Sequence, residues 1–87
     1  MPYLIAVYDV GQKRVGKMLK LFRRYLTWVQ NSVFEGDLTE AQIKQLKQQA
    51  EAIMAENDGV IFYQLRDERY TERTALGVDK AERSRFL

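Results

Sequence analysis

Two short stretches, YLIAVY at Tyr3–Tyr8 and VIFYQL at Val60–Leu65, are apolar at nearly every position. Side chains of a strand alternate between two faces, so a segment apolar on both parities must be covered on both. Helices of the same chain can cover one face. The other face needs a further layer, and a second copy of the sheet is the simplest candidate. Length points the same way: 87 residues make one small domain, and a chain of this size buries only about 60–65% of its unfolded surface. With 46% hydrophobic and 11% aromatic residues, there is enough material for a core and a subunit interface. We read residues 1–79 as a single domain and residues 80–87 as a flexible tail.

Between the two strands lie two helical patterns. After the turn at Val10-Gly11-Gln12, apolar residues recur at Val15, Met18, Leu19, Phe22, Tyr25 and Leu26, spacings that define one helix face. The second helix has a start signal: Thr39 as cap, Gln42 as its capping-box partner, and Leu38 stapled onto Ile43. Ile43, Leu46, Ala50, Ile53 and Met54 form its buried stripe, and Asn57-Asp58-Gly59 stops it. TWVQNSVFEG between the helices reads as extended, with polar Gln30-Asn31-Ser32 splitting it by a bulge or a tight hairpin. A short apolar island at Ala75–Val78 offers an additional edge strand. The order is βαββαβ, predicting an α+β, ferredoxin-like sandwich. It has a four-stranded antiparallel sheet, two helices on one face, and a homodimer through the open face.

Composition narrows the chemistry. There are no cysteines and no histidines, which removes thiolate nucleophiles, zinc–thiolate sites and the commonest general base. No apolar run reaches the 18 or so residues of a membrane span, and no signal-peptide pattern is present, so a cytoplasmic protein without membrane contact is expected.

Two features remain as candidates. Asp9 ends an apolar strand at the start of a loop, where it either shapes the turn or carries chemistry. Hydrolysis without His or Cys would need a hard metal on carboxylates, Mg2+ or Mn2+, and two aspartates brought together across a dimer axis would suffice. The second feature is a run of six basic residues without an acid: Lys13, Arg14, Lys17, Lys20, Arg23 and Arg24. Such a run is either a solvated face or a phosphate-binding surface, since the charges repel one another unless a polyanion offsets them. Tyr8, Trp28 and Phe34 could stack on bases, although Trp28 reads more naturally as core or interface.

Taken together, YDV at the end of the first strand, RVGKMLKLFRRY, VQNSVFEGDLT and the strand ending in YQL resemble the CRISPR-associated protein 2 family over nearly all of residues 2–65. The resemblance implies a ferredoxin-like homodimer in which Asp9 from each chain binds Mg2+. It also implies metal-dependent endoribonuclease activity, or duplex-DNA nuclease activity, and a structural role beside the CRISPR integrase in spacer acquisition. Asp9 and Tyr8 then fall in the catalytic site. Lys13, Arg14 and Phe34 match positions tied to function, and with Lys17, Lys20 and Arg24 they make the expected nucleic-acid-binding set for RNA or duplex DNA. The chain departs from the family at Leu26-Thr27-Trp28, where a glycine and an arginine are frequent. Two alternatives stay open: a non-catalytic duplex-DNA scaffold, and a ferredoxin-like domain that binds a small regulatory ligand.

Overall fold

The computed structural model describes residues 2–67 and 70–77. The chain runs β1 (Tyr3–Asp9), α1 (Gln12–Tyr25), β2 (Thr27–Gln30), β3 (Val33–Asp37), α2 (Glu40–Ile53), β4 (Gly59–Asp67) and β5 (Tyr70–Gly77). The strands form one antiparallel sheet in the order β2-β3-β1-β4-β5. The first four strands give the predicted ferredoxin-like arrangement. β5 is longer than the apolar island implied and pairs with β4 of the same chain, from Gly59 opposite Gly77 to Asp67 opposite Tyr70. Mixed-charge sequence had hidden it, because a backbone ladder needs no apolar alternation. Val78 and the tail at residues 80–87 lie outside the described residues.

Strand parity decides which residues meet the helices. Leu4, Ala6 and Tyr8 of β1, Phe34 of β3, and Val60 and Phe62 of β4 are buried together with Met18, Leu21, Phe22 and Leu26 from the first helical segment and Ile43, Leu46 and Ala50 from α2. Phe22 is the hub. Its ring meets Tyr8 edge-on at 5.2 Å between centroids, Phe34 at 5.5 Å, and stacks with Phe62 at 6.1 Å. A buried phenylalanine contributes roughly 1.5–3 kcal/mol, so this quartet anchors α1 to the sheet. Val15, expected on the packed face of α1, is exposed instead. It lies in the first turn of α1, one turn before the buried Met18. Gln64, the polar residue of VIFYQL, is buried and donates to a Glu40 oxygen at 3.2 Å.

The other sheet face carries Tyr3, Ile5 and Val7 of β1 beside Tyr63 and Leu65 of β4, all half-buried, and Ile61, which is buried. Among the described residues, no helix covers it. A contiguous apolar face of this kind marks an interaction surface.

The local signals that build the second half of the fold are present in detail. Thr39 Oγ1 accepts from Gln42 N at 3.1 Å, and Gln42 Oε1 accepts from Thr39 N at 2.9 Å, a complete capping box. α2 ends earlier than the expected Asn57-Asp58-Gly59 stop, at Ile53 with Met54 already extended, and Asn57 takes the left-handed conformation (φ 71°) in the turn before β4. Between β2 and β3 there is both a tight turn at Asn31-Ser32 and a register shift between Trp28 and Gln30.

Candidate functional site

Asp9 is the last residue of β1, paired with Gly59 across the sheet. By parity it belongs with Tyr3, Ile5 and Val7 on the helix-free face, and it is exposed. A charged carboxylate therefore stands at the rim of an apolar face. Among the described residues, no group of three or more acidic, histidine or cysteine side chains comes together. Asp9 is, among the described residues, the exposed aspartate at this rim, with hard oxygen donors suited to Mg2+.

A second carboxylate lies close by in the fold. Asp58 immediately precedes Gly59 and is buried, 2% exposed. Both of its oxygens are occupied. Oδ1 accepts from Gly11 N at 2.8 Å and from Arg14 Nη2 at 3.1 Å, while Oδ2 accepts from Ala55 N at 3.0 Å and from Arg14 Nε. The Arg14 guanidinium, helped by the Ala55 and Gly11 amides, holds the carboxyl well below the usual carboxylate range despite burial. α1 explains why such a group is needed. Gly11 provides no side-chain cap, the first turn contains no acid, and Lys13 and Arg14 oppose the helix dipole there. Asp58 supplies the missing anion from outside the helix. It thereby fixes the loop that follows Asp9.

Sequence reasoning had placed Arg14 among the nucleic-acid contacts and had read Asp58 only as a helix stop. The ion pair gives Arg14 a structural task. An uncapped helix start with two cations was the signal that an acid elsewhere had to approach it.

Tyr8 and Phe34 do not join Asp9. Adjacent strand residues face opposite ways, and the Tyr8 ring is buried on the helix side, stacked with Phe34 at 5.9 Å. Burial pushes the Tyr8 phenol above its ordinary value, against a smaller opposing effect of Arg23, so it remains protonated at neutral pH. Phe34 is fully buried and leaves no ring face for a base. Both residues pack in the core for the same reason: β1 and β3 turn them toward Phe22.

Lys13, Lys17, Lys20 and Arg24 are exposed along α1. Lys17, Lys20 and Arg24 line a shallow groove of about 370 Å3 with Leu21, Gln49, Ala52 and Ile53, between α1 and α2. From Lys13 to Arg24 the helix advances about 16 Å. Only the start of the basic run is therefore at the Asp9 end, and the rest lies in the helix layer on the opposite side of the sheet.

The comparisons with known proteins agree with this architecture. The family model described as CRISPR associated protein Cas2 matches residues 1–73. A protein of Dictyoglomus turgidum named CRISPR-associated endoribonuclease Cas2 is 49% identical over 86 residues, covering 98% of this chain and 99% of the relative. Its namesake in Pyrococcus furiosus is 47% identical, covering 90% and 91%. A crystal structure of a Cas2 protein superposes with a TM-score of 0.75 at 40% identity, covering 92% of this chain and 91% of the other. With the fold, the family model and these relatives in agreement, the chain belongs to the CRISPR-associated Cas2 family.

Proposed function

We propose that this chain serves CRISPR adaptation in the cytoplasm as a homodimer closed through the open sheet face, holding nucleic acid beside the integrase, and that it hydrolyses RNA phosphodiesters with Mg2+ held by Asp9 of both copies. The observation that carries the reading is the exposed Asp9 carboxylate at the rim of a half-buried apolar face. Covering that face with a second copy would bring a second Asp9 carboxylate to the same rim. The relatives from Dictyoglomus turgidum and Pyrococcus furiosus are named endoribonucleases, which supports the same activity here.

Asp9 would hold the ion, and bound Mg2+ would supply Lewis-acid polarisation of a phosphoryl oxygen and a more acidic water. The chain's own residues do the remaining work. Asp58 and Arg14 keep the loop after Asp9 in place, Lys13 offers positive charge at the same end of the sheet, and the neutral Tyr8 phenol stays within the core. Wild type is expected to cleave single-stranded RNA in Mg2+, with activity vanishing in EDTA and in Asp9→Ala. Equal cleavage by purified Asp9→Ala would overturn the catalytic assignment.

A second reading, a duplex-DNA scaffold without catalysis, has an observation of its own: Lys17, Lys20 and Arg24 lie in the helix layer, away from Asp9. Phosphate binding there is independent of hydrolysis and steep in salt. Reversing these three charges is expected to abolish duplex retention. Under this reading, integration beside the integrase persists in Asp9→Ala.

A further inference from the structure

We propose that Trp28 is a stacking platform for an unpaired base of single-stranded RNA, an inference that rests on the nucleic-acid reading above. Among the described residues, the large hydrophobic side chains left exposed are Val15, Trp28 and Val29, and Trp28 is 51% exposed. The other two aromatics considered for stacking, Tyr8 and Phe34, are in the core.

The indole is held in position. Its Nε1–H donates to the Asn31 carbonyl at 2.8 Å across the β2–β3 turn, and Asn31 adopts the left-handed conformation there (φ 46°). The polar edge of the ring is thus already partnered. What it offers a ligand is an apolar π surface whose orientation is fixed before binding, which lowers the entropy cost of stacking.

The electrostatic setting selects a polyanion. No acidic residue occurs between Val10 and Phe34, and the exposed pair Arg23 and Arg24 closes α1 just before β2 begins. Cations four and five positions before an exposed ring in the chain supply the two parts of a single-strand site: charge for the backbone and a face for the base. A protein strand adding to this edge is the less suitable occupant. β2 has four residues, and the register shift between Trp28 and Gln30 interrupts the ladder a new strand would extend. Duplexes keep their bases stacked internally, so the ring discriminates in favour of unpaired RNA.

Trp28 is the sole tryptophan of the chain, so its fluorescence reports on this site directly. Titrating the full-length protein with an unstructured uridine-rich RNA should quench the emission saturably, whereas duplex RNA of equal length should bind without quenching. Trp28→Leu should weaken single-strand binding roughly ten-fold, with duplex affinity and melting temperature unchanged. Trp28→Phe, which keeps a ring, should restore most of the loss. Unquenched emission with equal single-strand affinity in wild type and Trp28→Leu overturns the proposal while leaving nucleic-acid binding intact. Loss of the dimer in Trp28→Leu also overturns it and assigns the ring to a second copy. If wild type binds neither RNA at low salt, this inference and the nucleic-acid reading fall together.

Discussion

Asp9 and Asp58 lie at the same end of the sheet and have opposite fates. Asp9 closes β1 on the open face and is exposed; Asp58 opens the way into β4 and is buried under four hydrogen bonds. Chemical type is identical, so the difference comes from what surrounds each group. A carboxylate whose oxygens are filled by amides and a guanidinium has no lone pair to offer a metal. One at a solvent-facing rim is accessible to an incoming ion. Type and proximity alone would have paired them as ligands, whereas burial and four filled acceptor positions mark Asp58 as a structural anion.

The sharpest way to break this comparison is to delete each group in turn. Asp9→Ala should lower RNA cleavage more than about a hundred-fold, as loss of electrostatic stabilisation does, while stability stays within about 1 kcal/mol. Asp58→Ala should do the reverse. Losing an acceptor of four bonds, including a buried ion pair, costs about 2–3 kcal/mol, which lowers Tm by roughly 10–20 °C in a domain of this size. Below its new Tm the variant should still cleave RNA. If Asp58→Ala instead melts like wild type, the carboxylate is not the anion that α1 requires.

Acid should expose the same asymmetry more gently. The folded value of Asp58 is depressed by Arg14, so its contribution is fully present above the unfolded value near 4 and is lost as pH falls through and below it. Melting curves of wild type should drop steeply below about pH 4. In Asp58→Asn that limb should flatten. A limb equally steep in the two proteins would assign acid sensitivity to other carboxylates.

The smallest expected effect comes from Gly11. A Cβ there would come within 2.5 Å of Arg14 Nη2, the far end of a flexible side chain. Backbone φ at Gly11 is −60°, which any residue can adopt. Gly11→Ala should therefore cost below about 1 kcal/mol, by easing Arg14 away from Asp58. Its cost should disappear in an Asp58→Ala background, where a double-mutant cycle isolates the coupling.

Element order was legible because each signal was local: helix spacing, the Thr39–Gln42 box, and the polar break at Asn31-Ser32. That Asp9 ends β1 at the start of a loop was legible from the apolar run before it. Tyr8, Phe34 and Trp28 were not, and the physical cause is shared. A strand apolar on both parities carries no phase, so nothing in YLIAVY says that even positions face the helices. Trp28 escaped for a related reason, since aromatics in strands are usually covered, and only the sheet order reveals β2 as an edge. Asp58 needed a contact 44 residues distant in sequence, with Arg14. Helix α1 announced the need for an anion but not where it would come from.

The place of β1 in the sheet has a kinetic consequence. It is bonded along its length to β3 on one side and β4 on the other, so its amides open only with cooperative unfolding. Asp9 thus joins a side chain in solvent to a backbone as protected as the core. In hydrogen–deuterium exchange, protection should hold through Val7 and Tyr8 and fall within the few residues after Asp9. An exposed carboxylate set at that boundary inherits the positional rigidity of a central strand, so under the proposed metal role little conformational freedom remains to be lost on ion binding.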